Sequence, residues 1–313
     1  MSKIYAKING TGSYLPDKIL TNYDLEKLVD TTHEWIYERT GIVQRHIASD
    51  NESSVDMAYS SSIEALKKSN ISVDQIDMIV VATTTPERKF PSSAVLLQNK
   101  LKIEKGFAFD VNAACTGFVY AIDIADKYIK SGLVKNALVV GTEKITSLLD
   151  WKDRNTCVLF GDGAGTVVLS ASDQAGILSN TIGSNGSYKD LLTVNTDPEY
   201  IEMKGNDVFK IAVNTMGKLA VSTLKENNMN IDQVDWLIPH QANSRIINAI
   251  AKKISLPNDK IIMTVDKHGN TSAASIPLAL DDANKRGVLR SNHIIMFEAF
   301  GAGFTWGSTL LKF

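Results

Sequence analysis

Three residues of this sequence combine reactive side chains with positions directly after an apolar run. Cys115 lies in VNAACTGFVYAI, His240 follows WLIP, and Asn270 lies in KHGNTSAAS. A helix is predicted to begin near Thr116, and its free N–H groups and dipole are expected to lower the pKa of the Cys115 thiol. The thiolate is the nucleophilic form of cysteine, so Cys115 is the candidate nucleophile.

Each residue also has an ordinary structural interpretation. A lone cysteine beside an apolar strand is usually a small core residue, and we interpret Cys157, in the strand-like NTCVLFGDG, in that way. A histidine at a strand end is as often hydrogen-bonded as catalytic, and Asn270 precedes a Ser/Ala-rich segment for which it is a good N-cap. The combined signal is stronger, because ligands favour the carboxyl ends of strands in α/β sheets.

One segment of the chain occurs twice in similar form. SVDQIDMIVVATTT (72–85) returns as NIDQVDWLIPHQAN (230–243), 158 positions later. The similarity continues in the pairs 123–143 with 281–300 and 163–170 with 301–313, and more faintly in 7–14 with 179–188. The sequence therefore predicts two copies, at about 1–172 and 173–313. The candidate nucleophile lies in the first copy, whereas His240 and Asn270 lie in the second.

Apolar runs of strand length alternate with helix-period segments. The strand-like runs are 78–83, 107–111, 137–142, 166–170, 236–239, 261–265 and 293–300. The helix-period segments are 55–69, 116–131, 208–227 and 244–254. Strands without polar alternation are typical of sheets covered on both faces. Duplicated alternation of this kind predicts an α/β protein with a layered α/β/α/β/α body.

The first copy carries an insertion that the second lacks. Thr31 and Glu34 have the spacing of a capping box, and Gly41 is a predicted helix stop. The short helix between them holds Trp35 and Arg39 four residues apart, and therefore on one face.

Composition and charge exclude several classes of protein. The 313 residues suffice for one or two domains, and 44% apolar with 22% charged residues is typical of soluble globular proteins. A net charge of −2 gives no global attraction to nucleic acid or membrane. Two cysteines provide neither a disulfide framework nor zinc spacing, and MSKIYAK has no apolar signal core, so we expect a cytoplasmic protein without a metal. GTGSYL and GDGAG do not fit the dinucleotide fingerprint.

The motifs together resemble the β-ketoacyl-[acyl-carrier-protein] synthase III family, which starts bacterial fatty acid synthesis and has the thiolase fold. They are AACTGF around Cys115, PHQAN around His240, GNTSAAS around Asn270, FGDGAG at 160–165, DTTHEWIYERTGI at 30–42 and the ending GAGFTWGS. The resemblance covers essentially the whole chain. A Cys-His-Asn set, without a second catalytic Cys or His, is similar to this branch rather than to thiolases or elongating synthases.

The resemblance implies a ping-pong condensation. Cys115 would take the acyl group of a short acyl-CoA. His240 and Asn270 would then stabilise the enolate formed when malonyl-acyl-carrier protein loses CO₂. The oxyanion hole would consist of the N–H groups of Cys115 and Ala302, where the family pattern has glycine. CoA thioester is a substrate here, and no cofactor is implied.

The resemblance also implies binding residues. For CoA they are Trp35 and Arg154 about the adenine, Arg39 and Thr40 near the phosphates, and Asn206, Phe209, Ala242 and Asn243 along the pantetheine tunnel. For the acyl pocket they are Phe90, Phe160, Leu192 and Met203, with Phe90 supplied by the partner subunit of a homodimer. The acidic carrier protein would need a basic docking site, and the cations that flank the expected mouth of the tunnel are Lys210, Arg245, Lys252 and Lys253. The alternative interpretation is a solvated basic face.

Three alternatives remain open at this point. Cys115, His240 and Asn270 could form the triad of a thioesterase, the chain could be an acyl-CoA-binding module without activity, or it could be a type III relative that uses another acceptor in secondary metabolism. Release of CoA without a condensed product would indicate the thioesterase. The preferred acyl-CoA cannot be deduced, because one methylene changes discrimination by only about 1–3 kcal/mol.

Overall fold

A computed structural model of the protein describes residues 4–313. Its strands are β1 (Tyr5–Tyr14), β2 (Lys18–Thr21), β3 (Gln44–Ile47), β4 (Met78–Ala82), β5 (Phe107–Val111), β6 (Asn136–Glu143), β7 (Gly163–Ser172), β8 (Ile177–Ser184), β9 (Leu192–Val194), β10 (Ile201–Met203), β11 (Trp236–Pro239), β12 (Ile294–Gly301) and β13 (Thr305–Lys312). Its helices are α1 (Asn22–Leu25), α2 (His33–Thr40), α3 (Ser54–Ser69), α4 (Ser93–Lys100), α5 (Gly117–Lys130), α6 (Gly205–Glu226), α7 (Ser244–Lys253), α8 (Val265–His268) and α9 (Ser275–Lys285).

The two main sheets repeat one pattern of strand pairing. The first has the order β1-β7-β6-β4-β5, and the second has the order β11-β12-β13-β8. In the first sheet β7 pairs antiparallel with β1 and β6, whereas β4 pairs parallel with β6 and β5. In the second, β13 pairs antiparallel with β8 and β12, and β12 pairs parallel with β11. The second sheet is thus the first without its fifth strand.

The strand predicted at 261–265 is wrong. Only an isolated parallel bridge between Ile261 and Leu237 forms there, and α8 already begins at Val265. The Oε1 atom of Gln241 accepts hydrogen bonds from the N–H groups of Thr264 (2.9 Å) and Val265 (3.2 Å). These bonds hold the backbone in a turn, so an apolar run with strand composition does not extend the sheet.

The helices and sheets form five layers. Helices α5 and α9 lie between the sheets, where Phe118 of α5 and Leu280 of α9 pack with Phe297 of the second sheet. Helices α3 and α4 cover the other face of the first sheet, and α6 and α7 cover the other face of the second. Every residue of β4 is buried, as its unbroken apolar run predicts. Full burial of such side chains contributes about 1.5–3 kcal/mol each.

The inserted helix α2 begins one residue later than predicted. Its N-cap is Thr32, whose hydroxyl accepts the N–H of Trp35 at 3.1 Å, so the proposed capping box of Thr31 with Glu34 is wrong. Its end is confirmed, since Gly41 adopts a φ of 73° after the last turn.

The chain passes from the first sheet to the second between Ser172 and Ile177. A division into two domains near residue 172 stays a prediction, because both sheets share the layer of α5 and α9. Among residues 4–313, no helix combines the length and the apolar character that crossing a membrane requires.

Candidate active site

A cavity of about 460 Å³ brings the three reactive residues together. Cys115, His240 and Asn270 all line it, at junctions that follow β5, β11 and α8. The predicted nucleophile of one copy therefore faces the His and Asn of the other copy. Their geometry is set by short turns, and each side chain is fixed by a different set of contacts.

Cys115 lies in the short 3₁₀ turn Ala114–Thr116, directly before α5. Its residue exposure is 9%, and burial raises the pKa of the thiol to about 11. The expectation of a lowered thiol pKa is therefore wrong for the protein without ligand, because burial disfavours the thiolate more than the helix start favours it. A reaction at this sulfur has to include a route for the thiol proton.

Among residues 4–313, one hydrogen bond holds the side chain of His240. Its Nδ1 atom lies 2.8 Å from Ser275 Oγ at the start of α9, and its backbone N–H donates to Glu298 O at 2.7 Å. Burial lowers the pKa of the ring to about 4, so His240 is neutral near pH 7. With Nδ1 occupied by Ser275, Nε2 is the ring atom that can serve a ligand in the cavity.

Asn270 has both a structural contact and a position in the cavity. Its Oδ1 atom accepts the N–H of Ser272 at 2.9 Å, and its backbone N–H donates to Leu159 O at 2.8 Å. Gly161 N–H in turn donates to Asn270 O at 3.1 Å. Since Oδ1 is occupied, the amide Nδ2 is left as a donor for a ligand oxygen.

Glu143, which the sequence analysis did not single out, lies behind Cys115. The carboxylate is fully buried and accepts the Oγ1–H of Thr85 at 2.7 Å, the N–H of Thr84 at 3.1 Å and the Oγ–H of Ser272 at 3.2 Å. Burial raises its pKa to about 7. An acidic residue at the carboxyl end of the otherwise apolar strand ALVVGTE was the available signal.

The loop after β12 packs against the backbone of Cys115. A Cβ added to Gly301 would approach Cys115 N to 2.8 Å, so only glycine fits at this point. Thr305 Oγ1 donates to Ala113 O at 3.0 Å and to Ala302 O at 3.3 Å, which ties the two segments together. Ala302 is partly exposed beside this contact and does not line the cavity. Its role in an oxyanion hole stays a prediction.

One aromatic ring of the cavity wall, that of Trp35, has two cations close to it. The guanidinium carbons of Arg39 and Arg154 lie 4.3 Å and 5.0 Å from the ring centroid of Trp35. Arg154 Nη1 also donates to Asp30 O at 2.6 Å. Trp35 and Arg39 line the cavity, whereas Arg154 reaches the ring from outside it. Such a stack can exchange a guanidinium face for a nucleotide base.

Thr40 lines the same region but is engaged internally. Its buried hydroxyl donates to Ile36 O at 2.7 Å and accepts Ile42 N–H at 3.0 Å. The hydroxyl therefore caps the end of α2, and a phosphate contact would have to displace these bonds.

The wall of the cavity holds most of the other predicted binding residues. Asn206, Phe209, Ala242, Asn243, Phe160, Leu192 and Met203 all line it. Leu192 and Met203 are cross-strand partners in the β9–β10 hairpin, so their side chains are paired. Phe90 differs, since it is 85% exposed and lies outside this cavity.

The predicted docking cations lie on two adjacent helices. Lys210 on α6, and Arg245 and Lys252 on α7, are exposed. Arg245 lines the cavity, with its guanidinium 5.9 Å from the ring centroid of Phe209. Lys253 donates to Asn214 Oδ1 at 2.9 Å, so it links α7 to α6.

Cys157 does not lie in a strand. It is fully buried within a turn that precedes β7, next to Val158 and the apolar cluster under α7. Burial also raises the pKa of this thiol to about 11. Its interpretation as a core residue agrees with this environment, although the predicted strand is wrong.

Comparison with known proteins identifies the family. The descriptions 3-oxoacyl-[acyl-carrier-protein] synthase III and its C-terminal part match residues 109–186 and 224–313. Proteins named β-ketoacyl-[acyl-carrier-protein] synthase III are 54% identical in Thioalkalivibrio sulfidiphilus, over 99% of both chains, and 52% identical in Xanthomonas campestris, over 100% of both. The crystal structure of 3-oxoacyl-[acyl-carrier-protein] synthase III from Aquifex aeolicus has a TM-score of 0.97 at 48% identity, covering 98% of this chain and 100% of that one. This chain therefore belongs to the β-ketoacyl-[acyl-carrier-protein] synthase III family of acyltransferases and has its thiolase-like fold.

Proposed function

We propose that this enzyme condenses a short acyl-CoA with malonyl-acyl-carrier protein and so starts fatty acid synthesis in the cytoplasm. The observation that carries the proposal is the convergence of Cys115, His240 and Asn270 on one cavity whose wall also includes Trp35 and Arg39. Full-length relatives at 52–54% identity support the same activity.

In the first half-reaction, the Cys115 sulfur attacks the acyl carbonyl of the CoA thioester and CoA leaves. The carbonyl oxygen becomes negative, and backbone N–H groups at Cys115 and Ala302 are the proposed donors to it. The close packing of Gly301 on Cys115 supports this, because it brings the two backbone segments together. The CoA base is proposed to stack on Trp35, with Arg39 and Arg154 beside it.

In the second half-reaction, decarboxylation of the malonyl group generates an enolate next to the acyl-Cys115. His240 Nε2 and Asn270 Nδ2 are the proposed donors to the thioester oxygen. A neutral histidine suits this role, since it can donate from Nε2 while Ser275 holds Nδ1. Donors of this kind typically contribute 10²–10³-fold in rate.

The carrier protein is proposed to dock on α6 and α7. Lys210, Arg245, Lys252 and Lys253 present four cations near the cavity, and an acidic partner would be attracted to them. Arg245 links the docking surface to the cavity, because it contacts the ring of Phe209.

A homodimer is part of the proposal. Strand β5 is the edge of the first sheet, and Phe107 on it is exposed, so its free edge could pair with a second copy. Phe90 is 85% exposed and belongs to the predicted acyl pocket. A partner subunit that receives Phe90 would complete that pocket together with Phe160 and Leu192.

The test is to supply acyl-CoA and malonyl-carrier protein together and to measure CoA, CO₂ and β-ketoacyl-carrier protein. Equal amounts of the three products are expected. CoA and free acid without CO₂ would indicate a thioesterase instead. That alternative would need a carboxylate that activates water beside Cys115, and among the described residues no Asp or Glu lines the cavity.

A further inference from the structure

A buried hydrogen-bonded path leads from the nucleophile away from the cavity. Ser272 Oγ donates to Glu143 Oε1 at 3.2 Å, and the turn Ser272–Ala274 packs against the turn Ala114–Thr116 that carries Cys115. In this position the Ser272 hydroxyl stabilises the Cys115 thiolate and so opposes the burial that raises the pKa of the thiol. On its far side the Glu143 carboxylate is closed off by Thr84 and Thr85, which donate to it through N–H and hydroxyl groups. The path therefore joins a thiol to a carboxylate through one hydroxyl and ends there.

The two copies of the fold show that the backbone does not require this serine. Ala114, the counterpart of Ser272 158 positions earlier, has the same φ of 47° at the same place in its 3₁₀ turn. A methyl side chain is therefore compatible with this left-handed turn. The counterpart of Glu143 is Gly301, so the pair equivalent to Ser272 with Glu143 is Ala114 with Gly301. That equivalent pair has neither a hydroxyl nor a carboxylate.

We propose that Ser272 and Glu143 form a proton relay for Cys115 during acyl transfer. As the Cys115 sulfur bonds to the acyl carbon, the thiol proton passes to Ser272 Oγ while the Ser272 hydroxyl proton passes to Glu143 Oε1. CoA leaves as the thiolate and takes a proton from solvent. After condensation breaks the acyl–sulfur bond, Glu143 returns its proton through Ser272 to the departing Cys115 thiolate. The inference rests on the proposed function, which makes Cys115 the nucleophile.

The electrostatic setting agrees with this role. Burial raises the pKa of Glu143 to about 7, near the optimum for a general base at neutral pH. The Cys115 thiol is the titratable group that faces Glu143 across Ser272. The neighbouring Lys144 ammonium is bound to the carbonyls of Ser49 and Glu52 instead. His240 is the other candidate acceptor, but burial lowers its pKa to about 4, which makes it a weaker base.

The deciding experiment measures the rate of Cys115 acylation by acyl-CoA against pH, using rapid quenching and mass spectrometry. Wild-type acylation should fall as pH decreases through about 7, because protonated Glu143 cannot accept a proton. Glu143→Gln keeps a hydrogen-bond acceptor for Ser272 but cannot take the proton. It should acylate about 10²-fold more slowly, without that inflection. Malonyl decarboxylation should be retained, since it uses His240 and Asn270.

Ser272→Ala is the second variant, and Ala114 shows that it fits the turn. It should show the same defect, and the double variant should be no slower than either single variant. Asp162→Asn is the matched control: Asp162 is a buried carboxylate that accepts from Thr146 and Ala48. Its pH profile for acylation should equal that of the wild type.

The outcomes separate the two proposals. Glu143→Gln could acylate at the wild-type rate with the same pH inflection, and this result would overturn the relay and make His240 the acceptor of the Cys115 thiol proton. If Glu143→Gln does not fold, the same result in Ser272→Ala would overturn it. Absence of any acyl group on wild-type Cys115 would overturn the proposed function itself.

Discussion

The two turns that precede helices α5 and α9 share a backbone conformation and differ in their side chains. In the first copy, residues 112–117 read NAACTG, and in the second, residues 270–275 read NTSAAS. Both contain a 3₁₀ turn whose first residue has a φ of 47°. Cys115 in one corresponds to Ala273 in the other, and exposed Asn112 corresponds to buried Asn270.

The comparison shows how duplication produced one site from two equivalent turns. The shared turn directs its residues toward the interface between the copies. In the proposed mechanism each copy contributes a different group, a nucleophile from the first and hydrogen-bond donors from the second. The proposed relay residue Ser272 also lies in the second copy, next to the turn that carries Cys115 of the first.

The largest effect is expected from moving the thiol between the two turns. Cys115→Ala should abolish acylation, and adding Ala273→Cys should not restore it, because the counterpart of Glu143 in that copy is Gly301. Mass spectrometry of the intact protein after incubation with acyl-CoA measures both. Cys157→Ala is the control and should still acylate. Acylation of the swapped variant would mean that the two turns are chemically equivalent.

The donors of the second copy should act on one half-reaction only. His240→Ala and Asn270→Ala should each lower malonyl decarboxylation by about 10²–10³-fold while Cys115 still becomes acylated. Because the pKa of His240 is lowered to about 4, wild-type decarboxylation by this residue should not change between about pH 5 and 8. Carbon dioxide release against pH measures this. Near-normal decarboxylation in both variants would mean that the second copy does not supply the hydrogen-bond donors for this step.

The residues proposed to bind the CoA nucleotide, Trp35 and Arg39, lie on the inserted helix α2 of the first copy. Changes to them should therefore affect the use of acyl-CoA alone. Trp35→Ala should raise the KM for acyl-CoA about 5- to 150-fold, since stacking of a base on an aromatic ring contributes about 1–3 kcal/mol. Use of malonyl-carrier protein by the pre-acylated enzyme should be unchanged. Tyr37→Ala, an exposed aromatic on the same helix outside the cavity, is the control. Equal losses in the two variants would indicate damage to α2 rather than a lost stack.

The smallest effect is expected at the docking surface of the second copy. Reversing Lys210 and Lys252 to Glu should raise the KM for malonyl-carrier protein several-fold, and the wild-type advantage should shrink with salt, because exposed charges are screened over about 8–10 Å. Cys115 acylation should not change. Reversal of Lys67 and Lys105, which are exposed on the first copy, is the control. Steady-state kinetics measure these changes. The same rise in the KM for malonyl-carrier protein in the control variant would indicate a general effect of charge.

Part of this architecture could be predicted from local sequence. The 158-residue repeat, the apolar runs and the junction positions of Cys115, His240 and Asn270 indicated two similar sheets with a site between them. These signals are local, since period and spacing are visible along the chain. The failed strand at 261–265 depended instead on Gln241, whose side chain binds backbone N–H groups 23 and 24 residues further along the chain.

The electrostatics of the site could not be predicted in the same way. The thiol pKa of Cys115 depends on burial by residues of both copies, which outweighs the helix start that the sequence displays. The partners of Glu143 come from two separate segments, Thr84 with Thr85 and Ser272. Sequence patterns report the neighbours along the chain, whereas a pKa depends on the neighbours in space.

The most direct test of the account follows one acyl group through the two half-reactions. Wild-type enzyme is incubated with an equimolar mixture of short acyl-CoAs, digested, and analysed by mass spectrometry. A second sample receives malonyl-carrier protein after acylation and before digestion. The account predicts a single acyl mass on the Cys115 peptide, none on the Cys157 peptide, and transfer of that acyl group to the carrier with loss of CO₂. An acyl group on any other residue, or one that malonyl-carrier protein does not remove, would contradict it.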